Sequence, residues 1–285
     1  MIWLYIGKIY AFIFGFLHDK VKYNIRGFGF VMRRIKVDAI LNLHGSKVFF
    51  DHREAVAYSR VLAGAFNEPE THIFLNRLAV LMRYEFIEIG GSIGEILIDI
   101  ARNPNVVFSH VFEPNPKCAR IIRVNLCLND LHNVVIEDAA VGDINGSVKM
   151  FFGLNSPTAS VLSSESRGYG QHVKLVKLDS YFYSYHFKND IVMLVDVEGY
   201  EPQVFSGALE IINKHQPIII FEYNSDSRKH YHISEIVNIL GNSYTIYRLR
   251  SDGRLDDEID ASFNCVAVSN KHKKFLPHFH VGSSL

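Results

Sequence analysis

The feature that most constrains the fold is the stretch of residues 84–116. An apolar run at 84–89 leads into a glycine-rich turn and then into a segment whose apolar residues recur at helical spacing. A second apolar run, 106–112, ends at Glu113 and is stopped by Pro114. Short continuous apolar runs joined by an amphipathic helix are typical of buried parallel strands. The stretch therefore predicts a β-α-β unit.

The turn after the first strand predicts a nucleoside-binding site. Gly90, Gly91 and Gly94 allow a ligand to approach the backbone, and Glu113 stands where an acid can accept hydrogen bonds from two ribose hydroxyls. The spacing is G-G-x-x-G rather than G-x-G-x-x-G, and Glu88 precedes it. An acid beside the turn would repel a pyrophosphate but hold an ammonium group. The pattern favours S-adenosylmethionine over NAD; the alternative is a plain tight turn beside a solvated acid.

Three further predicted strands also end in acids. The run 134–141 carries Asp138, which could accept a hydrogen bond from an adenine amino group or be a solvated strand end. The run 191–196 ends at Asp196 and is followed by Glu198, and the run 217–222 ends at Glu222. Because the carboxyl ends of parallel strands meet at one edge of a sheet, these acids are expected to face a common ligand site.

The remaining pattern predicts an α/β domain with an N-terminal lead-in. Helices are expected at 55–65 and 71–82, strands at 147–152 and 173–178, and a final antiparallel pair at 244–249 and 263–268. Residues 153–170 are rich in serine and glycine and lack an apolar period, so they predict a long loop, either a lid or an ordinary surface loop.

The first 17 residues are strongly apolar. Residues 2–17 contain one charge, Lys8, and as a helix they would span about 24 Å, which is short of a bilayer core of about 30 Å. Basic residues follow, and if the run enters a membrane they would hold the rest of the chain on the cytoplasmic side. Three interpretations stay open: an interfacial membrane anchor, a helix packed on the domain or on a second subunit, and a single span.

Composition limits the partners. The 285 residues contain 30 basic and 30 acidic side chains, so no overall charge attracts nucleic acid, and none is expected as a partner. The three cysteines, Cys118, Cys127 and Cys265, are scattered and are interpreted as reduced thiols. We expect a cytoplasmic protein, at the inner face of a membrane if residues 2–17 contact one.

Three motifs together resemble the FkbM-type methyltransferases, a branch of the class I S-adenosylmethionine-dependent enzymes. They are E-I-G-G-S-I-G at 88–94, F-E-P-N-P at 112–116 and V-D-V-E-G-Y-E at 195–201. The resemblance covers about residues 45–270. Two departures stand out: Gly91 and Ser92 replace the usual Ala-Asn, and Leu194 replaces a lysine.

The resemblance implies a Rossmann-like, seven-stranded, mostly parallel sheet with helices on both faces and an antiparallel last strand. It divides the chain into an N-terminal extension (1–44), a methyltransferase domain (45–270) and a tail (271–285). It also implies methyl transfer to a hydroxyl of a sugar, glycolipid, polysaccharide or related small molecule. The cofactor-binding positions are then Glu88, Gly90, Gly91, Ser92, Gly94, Glu113, Asn115 and Asp138.

For catalysis, the prediction is Asp196 as the base or acceptor-orienting group, supported by Glu198 and Glu222. No metal ligand is assigned, although Mg²⁺ held by Asp196, Glu222 and Asn224 is an alternative, since oxygen ligands suit that ion. A non-catalytic relative that binds a nucleoside or a partner as a scaffold is the second hypothesis.

Overall fold

The computed structural model describes residues 2–21, 31, 34–54, 58–153, 159–160, 168–259 and 264–280. The α-helices of this part are α1 (Ile2–Val21), α2 (Ser59–Leu62), α3 (Pro69–Leu81), α4 (Glu95–Ala101), α5 (Pro116–Leu128), α6 (Leu178–Tyr181), α7 (Glu201–Ser206), α8 (Leu209–His215) and α9 (Ile233–Leu240). The strands are β1 (Ala39–Leu43), β2 (Ser46–Phe50), β3 (Tyr84–Ile89), β4 (Val106–Phe112), β5 (Val134–Glu137), β6 (Ala140–Val141), β7 (Gly146–Gly153), β8 (Ala159–Ser160), β9 (Gly168–Val176), β10 (Asp190–Val195), β11 (Ile218–Glu222), β12 (Tyr244–Leu249), β13 (Leu255–Asp256) and β14 (Asn264–Ser269). Short 3₁₀ helices are His52–Glu54, Ser227–Lys229, Gly241–Ser243 and Asn270–His278.

A central sheet organises the domain. Among the described residues it has eight strands, in the order β13-β12-β14-β11-β10-β3-β4-β5. The strands from β11 to β5 pair in parallel, and β14 runs antiparallel to both β11 and β12. The predicted Rossmann-like sheet and its antiparallel final pair are confirmed. The two-residue β13 is an additional strand at the edge.

Alternation along the inner strands places different side chains on the two faces of the sheet. On β3, Ile87 and Ile89 enter one core cluster, whereas Phe86 enters the other. Glu88 shares the face of Phe86 and pairs in register with Leu194 of β10. Both faces are covered, which is why the inner strands read as continuous apolar runs.

The chain changes direction within the sheet between β3 and β10. From β3 it proceeds outward to β4 and β5, and from β10 it proceeds the opposite way to β11. In open parallel sheets, ligands bind beyond the carboxyl ends of the strands at such a switch point. Gly90 follows β3 and Asp196 follows β10, and the Asp196 N–H donates to the Ile89 carbonyl at 2.9 Å. The fold therefore places the candidate site between these two residues.

One strand prediction is confirmed here, and one helix prediction was wrong in extent. The strand predicted to end near Asp138 is β5, which ends at Glu137, and the Ala139 N–H turns back to the Glu137 carbonyl at 2.9 Å. β6 then joins a separate sheet in the order β6-β9-β7-β8. The helix predicted at 55–65 is reduced to α2, and residues 55–57 lie outside the described residues. The loop predicted at 153–170 also lies mostly outside them.

The N-terminal elements pack on the domain as a separate layer. Ala11, the β1–β2 hairpin and α2 form an apolar cluster that also contains Ile93 and Ile121 of the domain. Within the described ranges, no helix is both long and apolar enough to cross a membrane. The predicted boundary at residue 44 falls in the hairpin turn, and the domain bounds stay a prediction.

Candidate functional site

A cleft opens beyond the carboxyl ends of β3, β4 and β10, and it encloses about 690 Å³ including its mouth. Its walls are mostly apolar, with a few polar groups contributed by the strand tips. The lining residues are Ile89, Gly90, Ser92, Phe112, Glu113, Pro114, Ala139, Ala140, Val141, Met150, Asp196, Val197, Glu198 and Tyr200. A flat apolar slot with a few convergent polar groups is typical of a small-molecule site.

Glu113 is fixed at the floor of this cleft. The backbone N–H of Ser92 donates to its Oε2 at 2.8 Å, and the backbone N–H of Asn115 donates to its Oε1 at 2.7 Å. Burial nevertheless raises the pKa of Glu113 to about 7. The carboxylate is therefore oriented by two backbone amides and retains lone pairs for a ligand.

Asn115 supports this arrangement from the next helix. Its side chain accepts from the Lys117 N–H at 3.1 Å and thereby caps α5. The cap fixes the Asn115 backbone that donates to Glu113. Since the amide oxygen is occupied by the cap, Asn115 acts on a ligand chiefly by positioning Glu113.

The glycine turn is shaped by a close backbone approach. Gly90 has φ +90°, and a Cβ at this position would overlap the Asp196 carbonyl oxygen. A Cβ on Gly91 would overlap the side chain of Val111. Ser92 adopts φ +50°, an uncommon conformation for a residue with a side chain, and its hydroxyl pairs with Tyr58. The turn thus presents its backbone to both sides.

A second pocket of about 480 Å³ lies on the other side of the turn. Its lining residues are Tyr58, Asn67, Glu68, Glu88, Gly90, Gly91, Ser92, Ile93, Glu95, Ile96, Leu194 and Asp196. We call it the acidic chamber, because four of these residues are carboxylic acids and none of the described lining residues is lysine or arginine. The chamber shares Gly90, Ser92 and Asp196 with the cleft.

Glu88 is an acid of the chamber whose negative charge is not compensated by any basic residue of the described lining. It is buried, and its Oε2 has no hydrogen-bond partner among the described residues. Burial, together with the charges of Glu68 and Glu113, raises the pKa of Glu88 well above its ordinary value. Leu194, its register partner on β10, places an aliphatic side chain where the related motif carries a lysine. A cationic ligand group would supply the missing charge.

Asp196 stands where the cleft and the chamber meet. Burial and the neighbouring Glu222 raise the pKa of Asp196 well above its ordinary value. Glu198, which lines the cleft, has φ +57°, and burial raises its pKa as well. The turn that carries both acids is held by Glu201, whose carboxylate accepts from the N–H groups of Val197 and Gly199 at 3.3 and 3.4 Å.

Glu222 lies behind Asp196 and does not line either pocket. The Asn224 side-chain amide donates to one of its oxygens, and the other oxygen, Oε2, is buried with no partner among the described residues. Burial and the acids around it raise the pKa of Glu222 to about 9. The predicted supporting role of Glu222 in catalysis stays a prediction.

Asp138 is a predicted cofactor residue that lines neither pocket, and the same is true of Gly94 and Asn115. The side chain of Asp138 is 52% exposed, pairs with Arg123 at 2.7 Å and does not line the cleft. The next residues, Ala139 to Val141, line the cleft instead. A hydrogen bond from the adenine amino group to Asp138 stays a prediction.

A metal site at the predicted ligands is not evident. In the described part of the chain, one group of three metal-ligating side chains has its ligand atoms within 4.8 Å of one another: Asp38, Asp51 and His52. None of these three lines the cleft or the acidic chamber. The Mg²⁺ alternative at Asp196, Glu222 and Asn224 stays a prediction.

Several lining residues were not predicted as site residues, and Glu68, Glu95 and Tyr58 are three of them. Glu68 accepts from Thr71 at 3.1 Å and from Asn264 at 2.7 Å, and Glu95 accepts from the backbone and side chain of Asn67, both at 2.7 Å. Tyr58 contacts Ser92. The available signals were the Glu-Pro-Glu segment at 68–70 and the acid directly after Gly94.

The buried acids predict that stability depends on pH. A carboxyl whose pKa is raised on folding binds its proton more tightly in the folded state, so its contribution is complete at low pH and is lost as pH rises through the folded pKa. For Glu222 that value is about 9. We expect the Tm of the ligand-free protein to fall by roughly 5 °C between about pH 7 and about pH 9, measured by calorimetry.

The histidines whose pKa is lowered, such as His110 and His272, are neutral in both states across this window and do not oppose the trend. Glu222→Gln should reduce the fall in Tm, whereas Gln at the exposed Glu210 should leave it unchanged. A Tm that is constant or rises toward pH 9 would contradict the electrostatics described above.

This chain is similar to known proteins both in sequence and in fold. The FkbM methyltransferase domain model matches residues 99–245, which is more than half of the chain. Among curated protein sequences, none matches. Solved structures with a similar fold include the methyltransferase FkbM from Methylobacillus flagellatus KT, at 15% identity and a TM-score of 0.45, covering 76% of this chain and 52% of that one.

Two other solved structures have similar folds, with lower TM-scores. Precorrin-6y C5,15-methyltransferase from Geobacter metallireducens GS-15 has 13% identity and a TM-score of 0.40, with 72% of this chain and 90% of that chain covered. TYW2 of M. jannaschii, solved in complex with AdoMet, has 12% identity and a TM-score of 0.40, with 82% and 85% covered. This chain spans about half the length of the FkbM structure.

The fold is that of a Rossmann-like α/β protein with its candidate site at the switch point of the sheet. Within that class, this chain belongs to the FkbM methyltransferase domain family.

Proposed function

We propose that this chain is an S-adenosylmethionine-dependent O-methyltransferase whose acceptor is a hydroxyl of a sugar, glycolipid, polysaccharide or related small molecule. The observation that carries the proposal is the glycine turn between two unlike pockets. One holds an oriented carboxylate, Glu113, in an apolar cleft, and the other holds Glu88, whose Oε2 has no hydrogen-bond partner among the described residues. S-adenosylmethionine combines a nucleoside, which has a planar base and two ribose hydroxyls, with an ammonium group, and it matches both pockets.

The residues around the glycine turn match the polar groups of this cofactor. Glu113 would accept from the ribose hydroxyls, and the apolar wall that includes Val141 and Met150 would contact the base. Glu88 would accept from the ammonium group, and the positive charge would favour its ionised form. Because Gly90 and Gly91 have no Cβ, the turn can approach Asp196 and Val111 closely and lie beside both pockets.

The acceptor would meet the cofactor at Asp196. When bound, S-adenosylmethionine supplies a methyl group on a positively charged sulfur, which keeps the C–S electron pair as the acceptor oxygen forms the new O–C bond. Asp196, at the junction of the pockets, accepts the hydroxyl proton. Burial and the neighbouring Glu222 raise the pKa of Asp196, which makes its carboxylate a stronger base. Glu198 orients the acceptor, and Glu222 favours proton uptake by Asp196.

The first test measures binding by calorimetry with S-adenosylmethionine, S-adenosylhomocysteine and NAD. We expect binding of the first two and none of NAD. A folded protein that binds neither adenosyl compound would overturn the proposal. Binding without methyl transfer to any member of a panel of sugars, glycolipids and polysaccharides would favour the scaffold hypothesis, which the apolar Leu194 in the acidic chamber keeps relevant.

The role of Asp196 as the general base is tested with the variant Asp196→Asn and an acceptor from that panel. We expect methyl transfer from labelled cofactor to fall by about a hundredfold or more, because the amide cannot take the proton, while S-adenosylhomocysteine binding changes little. Asp130→Asn is the matched control, since this acid is exposed and lines neither pocket. Full activity of Asp196→Asn would remove this residue from the mechanism.

A further inference from the structure

The surface of α1 presents a second functional feature that is separate from the cleft. Its exposed apolar residues lie on one face of the helix, between Ile2 and Ile13. They are Ile2, Tyr5, Ile6, Ile9, Phe12 and Ile13. Ile2, Tyr5 and Phe12 are the most exposed, at 75%, 71% and 65%. A contiguous apolar face of this kind on the surface of a folded domain marks an interaction site.

The opposite face of α1 is already occupied by the domain. Ala11 is buried, and Gly7 lies so close to Ile35 that a Cβ on the glycine would stand 2.5 Å from the Ile35 side chain. The helix also packs against α2. The fold therefore fixes the orientation of α1 and directs the exposed apolar face outward.

The charge of the segment that follows α1 indicates which partner contacts the exposed apolar face. Between residues 18 and 36 the sequence carries six basic residues, Lys20, Lys22, Arg26, Arg33, Arg34 and Lys36, and one acidic residue, Asp19. The chain as a whole is neutral, so this excess is local. Lys36 is exposed next to Ile35, the residue that contacts Gly7, and Lys8 is exposed on α1 itself. An apolar face with Lys8 and Lys36 exposed near it, followed in the sequence by a basic segment, is complementary to an anionic bilayer surface.

We propose that the exposed face of α1 docks on the surface of an anionic lipid bilayer, with the helix lying in the interface. The apolar side chains enter the boundary between headgroups and acyl chains, and Lys8 and Lys36 contact the headgroup anions. This docking does not require the proposed function.

The docking face is structurally connected to the candidate site. α1 packs on α2, and Tyr58, which directly precedes α2, lines the acidic chamber and contacts Ser92 of the glycine turn. If the proposed function holds, this connection favours an acceptor hydroxyl carried by a membrane lipid or a lipid-linked glycan.

The test is co-sedimentation of the full chain with phosphatidylcholine vesicles and with vesicles that also contain phosphatidylglycerol. We expect binding to the anionic vesicles that weakens at high salt, and a loss of at least about tenfold in the partition coefficient for Phe12→Asp. Val80→Asp is the matched control, because Val80 is 79% exposed on α3, on a different helix. It should bind as the wild type does.

Circular dichroism establishes that both variants are folded, and vesicle binding is measured without methyl transfer, so failure here is distinct from failure of the proposed function. Docking is overturned if the wild type remains in the supernatant or if Phe12→Asp binds normally. Equal binding to neutral vesicles overturns the anionic preference. A dimer in light scattering that Phe12→Asp converts to a monomer, without vesicle binding, would assign the face to a second copy of this chain.

Discussion

Gly90→Ala is expected to destabilise the protein by about 3 kcal/mol or more and to abolish cofactor binding. The new methyl group would overlap the Asp196 carbonyl oxygen, which is backbone and cannot move without breaking the pairing of β3 with β10. The alanine would also have to adopt φ +90°. Both effects act at the point where the cleft and the acidic chamber meet, so folding and binding should fail together.

Gly64→Ala separates the cost of the positive φ from the cost of the steric overlap. Gly64 has φ +82°, but a Cβ there would meet no atom within 4 Å. Its substitution should therefore report the backbone strain alone, at about 1 kcal/mol. Denaturant unfolding of both variants gives the comparison, and S-adenosylhomocysteine titration gives the binding. Equal costs for the two alanines would show that the close approach of Gly90 to Asp196 is not a constraint in solution.

The sequence was most informative where one local rule determines the structure. Acid-tipped apolar runs located β3, β4, β10 and β11, and the glycine turn located the switch point, because parallel strands covered on both faces must be apolar along their length. The N-cap and proline before α5 were also readable from neighbouring residues. Each of these features depends on residues close in sequence.

The features that sequence did not reveal depend on contacts between distant segments. Glu68 enters the acidic chamber through a hydrogen bond with Asn264, which is 196 residues away. Tyr58 reaches Ser92 from the N-terminal layer. The ion pair that holds Asp138 away from the cleft joins α5 to the end of β5. No local pattern encodes these contacts, since they follow from the packing of whole elements.

Glu113→Ala is expected to weaken S-adenosylmethionine binding by about a hundredfold or more, because hydrogen bonds to a charged acceptor contribute about 1.5–3 kcal/mol each. The variant also leaves the N–H groups of Ser92 and Asn115 without their acceptor. Glu137→Ala is the matched control: this acid ends the neighbouring strand β5, pairs with Lys174 and does not line the cleft. Its effect on the Kd from calorimetry should stay within about twofold.

The pH dependence of cofactor binding is a second measurement of the role of Glu113. Burial raises its pKa to about 7, so in the free protein the carboxyl is largely protonated below that pH. A protonated carboxyl is a poorer acceptor for ribose hydroxyls, and ionising it to bind the cofactor has a free-energy cost that grows as pH falls. Affinity of the wild type should therefore fall by up to about tenfold per pH unit below about pH 7. Glu113→Ala should lose most of this dependence while Glu137→Ala retains it, and an unchanged pH profile in Glu113→Ala would assign the titration to another acid of the site, such as Glu88.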